Sequence, residues 1–260
     1  MRSRLMASAG ILTLVVLAGC GGGGEQSPAR TARPAGQQAA APSAGGYQAG
    51  AVADGGTISG KVVFAGDPPA PSKIEVTKDA TVCGKEIVSE DLMVGAGNGV
   101  VNAVVWIEGI SKGKDWGALD GGTVDQKGCH YVPQVQLMRP GNELMIVNSD
   151  QILHNIHAYY RDTETLFNLA QPMAGMKTPK KLEKTGPVHL KCDVHSWMSA
   201  WVFVADHPYV ALTKADGTFS IDQVPAGSHK VKMWHAKLGE KTLDVSVAAG
   251  GTAAADFSVQ

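Results

Sequence analysis

The chain has 260 residues, and its 23 basic and 24 acidic side chains nearly cancel. That balance excludes the basic footprint of a nucleic-acid binder, so no nucleic acid is expected as partner. With 32 Gly, 13 Pro and 44% apolar residues the composition suits a turn-rich globular β protein, and long helical patterns are missing.

The chain begins "MRSRLMASAGILTLVVLAGC", with Arg2 and Arg4 ahead of a short apolar run. A bilayer-spanning helix needs about 20 apolar residues; this run is shorter and has the form of a secretory signal. Its end, Leu17-Ala18-Gly19-Cys20, resembles the bacterial lipoprotein box. The resemblance implies a signal peptide over residues 1–19, cleavage before Cys20 and a diacylglyceryl thioether on the Cys20 sulfur. Gly21, rather than Asp, after the cysteine is compatible with outer-membrane sorting in a Gram-negative host. Residues 20–55 are dominated by Gly, Ala, Pro, Gln and Ser without apolar periodicity, so they read as a disordered tether. The remainder is expected on the periplasmic or cell-surface side of a bacterial membrane, in an oxidising compartment.

From residue 56 onward, short alternating runs are punctuated by Gly, Pro, Asn and Asp. Candidate strands include 57–66, 102–110, 131–138, 142–150 and 155–161, then 186–191, 200–206, 218–222, 228–235 and 241–249. Their length and spacing predict an all-β sandwich or barrel. Residues 166–184 read as a long irregular connection with room for a helical turn.

"TKADGTFSIDQVPAGSHKVKMWH", with its DG-x-F and Pro-x-Gly elements, resembles the carboxypeptidase regulatory-like, or transthyretin-like, β-sandwich family. "GTISGKVVFAG" and "NAVVWIEG" resemble that family's first two strands but lie before residue 111. The resemblance implies one sandwich in two parts, 56–117 and 208–260, with a second domain at 118–207. Two consecutive β domains are the plainer alternative.

"VHLKCDVHSWMSAWVFV" places Cys192, His195 and Met198 at intervals of three between strand-like flanks. A loop can turn a thiolate, an imidazole and a thioether onto one point, and this soft set favours copper; a second histidine would complete a His₂Cys centre with a weak axial Met. "NSDQILHNIHAYY" supplies His154. Here the chain resembles the small cupredoxins of the amicyanin and pseudoazurin type over about 80 residues. The shared pattern is Tyr131-Val132-Pro133, a Pro-Gly turn, a strand ending at Asn148, His154-Asn155-x-His157, and the closing Cys-x-x-His-x-x-Met loop. The resemblance implies a Greek-key cupredoxin sandwich inserted in, or packed beside, the transthyretin-like one. It implies one type 1 copper held by His154, Cys192, His195 and Met198, with Asn155 tying the ligand loops together and His157 structural. With Cys20 lipidated and Cys192 a ligand, Cys83 and Cys129 remain, a pair that an exported protein is expected to oxidise to a disulfide.

Related cupredoxin loops carry prolines where this chain has Val194 and Ser196. The restored backbone N–H groups are expected to give the sulfur a second donor and to raise the reduction potential. His130, His189, His207, His229 and His235 read as surface or strand residues. Met173 and Met176 lie on a loop that packs into gaps or passes Cu(I). Trp197 reads equally as a docking aromatic or a buried one.

A structural zinc site wants four strong ligands and rarely uses Met. A dinuclear copper centre needs a second cysteine in the loop, and a Cys–His nucleophile needs an oxyanion hole that nothing here indicates. The expectation is therefore a membrane-anchored copper protein, not an enzyme, that exchanges single electrons with redox partner proteins. Copper storage, sensing or delivery is the alternative. A third reading is a carbohydrate- or protein-binding module in the transthyretin-like part.

Overall fold

The structure, a computed structural model, describes residues 46–260. The signal peptide, the lipidation site Cys20 and the tether as far as residue 45 lie outside the described residues. Within them the chain is nearly all β, and the one α-helix is the single turn Ala80–Cys83.

Period-two burial explains the strands. In Gly227–His235, Val231, Met233 and His235 point inward while the residues between them stay partly exposed. This strand lies between Val104–Ile107 and Gly239–Val247 in a four-stranded sheet completed by Val210–Leu212. A second sheet centres on Gly56–Phe64, flanked by Thr218–Val224 and Thr252–Ala254, with Phe257–Val259 added along the same strand. Ile58, Val62, Val105, Ile107, Phe219, Val231 and Phe257 fill the core between these sheets. One close approach requires glycine: a Cβ at Gly99 would lie 2.1 Å from the Asp216 carbonyl atoms.

The strands between residues 122 and 204 build two further sheets. One runs Lys177–Lys181, Glu143–Asn148, Gly122–Lys127, His130–Val132. The other runs Glu164–Gln171, His154–Tyr160, Gly186–Lys191, Ser199–Val204, Val135–Met138. Their shared core includes Val124, Tyr131, Leu144, Ile146, Ile156, Leu190 and Val202. A third cluster joins the two cores: Trp201 and Phe203, on the outer face of Ser199–Val204, meet Val104, Trp106 and Trp234.

Three features depart from expectation. The segment 166–184 is two strands with a tight turn, because Glu164–Gln171 continues the sheet from His154–Tyr160 and Lys177–Lys181 caps the edge beside Glu143–Asn148. Pro179 is tolerated there because the strand is an edge. The tether expected to reach residue 55 ends sooner. Gln48–Ala49 pairs with Lys112–Gly113, and Tyr47 is buried with its hydroxyl donating to the Lys114 carbonyl at 2.6 Å. Finally Val76, Cys83 and Ile87, grouped by sequence with the first sandwich, pack into the core of the second. Burial of these apolar side chains draws the segment across.

Candidate metal centre

Two loops at one end of the second sandwich carry the candidate ligands. The strand Glu143–Asn148 ends where the Asn148 side chain folds the chain back: its Oδ1 accepts the Asp150 N–H at 3.0 Å and its Nδ2 donates to the Ile152 carbonyl at 2.9 Å. His154 opens the next strand fully buried. In the other loop the Met198 N–H donates to the His195 carbonyl at 2.9 Å and the Cys192 N–H to the Met198 carbonyl at 3.4 Å, which closes a compact turn.

His154 Nδ1 lies 2.9 Å from His195 Nδ1, and Cys192 Sγ lies 3.8 Å from His195 Nδ1. One ligand atom from each of the three fits within 4.8 Å of the others, and all three side chains are buried. Met198 is 2% exposed and belongs to the same core as Cys192.

Both imidazoles are held from behind. Asp150 Oδ2 is 2.9 Å from His154 Nε2, and Asp79 Oδ2 is 2.9 Å from His195 Nε2. A carboxylate at Nε2 favours the tautomer with the proton there, which leaves both Nδ1 lone pairs facing one another beside a sulfur. Such a cluster of buried acceptors accommodates a cation, and its imidazole and thiol donors suit a soft or borderline metal. The residues present therefore fit a copper ion.

The Asp150 carboxylate also accepts the N–H groups of Gly128 and Cys129, at 2.8 and 2.9 Å. Those two residues have φ of +59° and +60° and join Gly122–Lys127 to His130–Val132 as a two-residue hairpin loop. Burial opposes its charge, but these N–H groups and His154 hold its carboxyl below the ordinary range. Burial pushes the His154 imidazole down, against the pull of Asp150.

Asn155 ties the loops. Its Oδ1 accepts the Asp193 N–H at 2.7 Å and the Cys192 thiol at 3.3 Å, and its Nδ2 donates to Asp193 Oδ2 at 3.0 Å. His157 is three positions along the strand from His154, so its side chain leaves by the opposite face. There it meets Asp193 at 3.1 Å and stacks on Tyr159. The backbone donor that reaches the sulfur is the His195 N–H, at 3.4 Å, not that of Val194 or Ser196 as the sequence suggested. Trp197 is partly buried, 5.2 Å from the His195 ring, with its indole N–H on the Cys129 carbonyl at 3.2 Å. Met173 is 64% exposed.

Cys83 and Cys129 form a disulfide, so Cys129 offers no thiolate to the neighbouring Asp150 and His154. The remaining histidines have other partners. His130 faces Glu90, His207 the Ile107 carbonyl and His229 the Pro225 carbonyl. His189 stacks on Trp201 and lies between Asp162 and Ser199 Oγ, beside a cavity of about 230 Å³ that His235 also lines.

No family model matches the chain, and no curated protein matches it. Solved structures that resemble part of it are of cupredoxin type. A purple cupredoxin from Nitrosopumilus maritimus is 20% identical over 32% of this chain and 99% of its own, with a TM-score of 0.30. Amicyanin from Paracoccus versutus is 17% identical over 33% of this chain and 81% of its own, with a TM-score of 0.29. A copper-containing nitrite reductase from Thermus scotoductus is 20% identical over 32% of this chain and 22% of its own, with a TM-score of 0.28. The likeness covers about a third of the chain, and the reading of the centre rests on its own residues.

Two participants were missed in the sequence. Asp150 carries a local signal, an Asn-Ser-Asp turn four residues ahead of His154. Asp79 carries none, being 116 residues from its partner.

Proposed function

We propose that the chain would hold one copper ion through His154 Nδ1, Cys192 Sγ and His195 Nδ1, with Met198 as a weaker fourth ligand, and works in one-electron transfer rather than as an enzyme. The carrying observation is the buried meeting of two imidazole Nδ1 atoms and one thiol, each imidazole fixed from behind by a carboxylate. Bound there, copper supplies exchange of one electron between Cu(II) and Cu(I).

The chain's own part is to hold the ligands still. Asp150 and Asp79 fix ring orientation, Asn155 locks the spacing of the two loops, and the His195 N–H contacts the sulfur. Burial of all three ligand side chains keeps water from the site. Rigid ligands lower the reorganisation that accompanies a change of charge, which suits electron transfer.

In this reading residues 118–207 are a cupredoxin-like domain set into a transthyretin-like one. Cys20 carries the lipid, and the protein works on the periplasmic or cell-surface side of a bacterial membrane with redox partner proteins. The disulfide agrees with an oxidising compartment. Copper storage, sensing or delivery is the second reading, in which the exposed Met173 would meet Cu(I) from solvent.

Visible absorption and EPR of the full chain loaded with Cu(II) test the proposal. An intense thiolate charge-transfer band with narrow copper hyperfine splitting is expected. A colourless protein, or one that holds only Cu(I), overturns electron transfer and leaves copper handling.

A further inference from the structure

The two carboxylates behind the imidazoles differ in origin. Asp150 belongs to the ligand loop itself, whereas Asp79 comes from the segment between the paired strands Lys73–Glu75 and Glu86–Val88. The His195 side chain is 0% exposed and that of Asp79 is 42% exposed. Asp79 thus stands between the outer nitrogen of His195 and solvent.

Burial of Val76 and Ile87 holds the ends of this segment, and one covalent bond holds its turn. The Asp79 carbonyl accepts the N–H groups of Val82 and Cys83, both at 2.9 Å, which winds the single turn Ala80–Cys83. The Cys83 sulfur is bonded to Cys129. Cys129 gives its N–H to Asp150 and takes the Trp197 indole N–H on its carbonyl. One hairpin tip therefore connects the support of His154, the aromatic cover of His195 and the turn that carries Asp79.

We infer that residues 79–83 are a disulfide-held strap over the outer edge of the centre, with Asp79 a positioning residue that shields His195 Nε2 and aims Nδ1 at the sulfur. Metal ions and partner proteins reach the His195 edge only when the strap is displaced. The positioning half rests on the copper reading; the covering half does not.

The test starts with the metal-free full chain and diethyl pyrocarbonate, with acylation of each histidine followed by peptide mass spectrometry. His195 is expected to stay unmodified while the more exposed His130 reacts. In Asp79→Ala, His195 is expected to react at a rate approaching that of His130. Asp79→Asn, which keeps an acceptor for the Nε2–H, is expected to restore protection. The Cys83→Ser/Cys129→Ser double variant is expected to expose His195 with Asp79 still in the chain.

With copper loaded, Asp79→Ala is expected to keep the thiolate band, change the hyperfine splitting and lose about 10–100-fold in affinity. Full protection of His195 in folded Asp79→Ala and in the double variant overturns the strap. Should Asp79→Ala fail to fold, native protein treated with a phosphine reductant gives the same comparison. A wild type without the thiolate band overturns the copper reading and leaves the acylation result to decide the strap.

Discussion

Asn155, next to His154, presents its amide to the other ligand loop, accepting from the Asp193 backbone and the Cys192 thiol while donating to Asp193 and to Asn168 on the adjoining strand. Asn155→Ala leaves the part-buried Asp193 N–H and the buried Cys192 thiol without their acceptor, and a buried donor left unpaired costs about 1–3 kcal/mol. The metal-free variant is expected to lose that much in urea unfolding with an unchanged m-value. His235, 4% exposed, offers a separate test of burial. Desolvation pushes its imidazole from 6.5 to about 4. In the unfolded chain it titrates near 6.5, so between pH 6.5 and 4 the unfolded state holds a proton that the folded state refuses. The stability is full above pH 6.5 and falls with pH through that window, by about 3 kcal/mol on reaching pH 4. His235→Gln is expected to flatten that part of a pH series of denaturation midpoints.

At the scale of elements, the hairpin from Gly122–Lys127 to His130–Val132 does more than turn the chain. Cys129 occupies the left-handed region without being glycine, at a cost of about 1–3 kcal/mol, and Asp150 collects both N–H groups of the tip. Asp150→Ala removes acceptors from two backbone donors and from His154. It is expected to lower stability by about 2–4 kcal/mol and copper affinity by about 10–100-fold, read by calorimetry on metal-free and loaded protein. The second strand of the hairpin lies at the start of the expected run 131–138; its first strand, Gly122–Lys127, and the partner of its tip were not read from the sequence. The strands around 166–184 were missed because "LFNLAQPMAGMKTPKK" has weak apolar alternation, and its pairing comes from neighbours distant in sequence.

Across the whole molecule, two cores meet through one aromatic cluster. Phe203 is 6% exposed, with its ring 5.1 Å from Trp106 and 6.1 Å from Trp234. Phe203→Ala is expected to cost about 3–5 kcal/mol. Because the contact couples the sandwiches, differential scanning calorimetry is expected to resolve one cooperative transition into two. A single transition at the original temperature would show that the cluster carries no coupling.

By itself the sequence determined what depends on neighbours along the chain. The all-β class follows from period-two runs broken by turn residues, and the soft spacing of Cys192, His195 and Met198 follows from a short loop between two strands. The tertiary structure alone decided how that loop is completed: His154 Nδ1 against His195 Nδ1, Asp150 behind one ring and Asp79 behind the other. The reason is range. A turn or a strand is selected by local sterics and alternation, whereas the carboxylate that backs His195 arrives because Val76, Cys83 and Ile87 bury in a core built mostly from other strands, and no local pattern encodes that encounter.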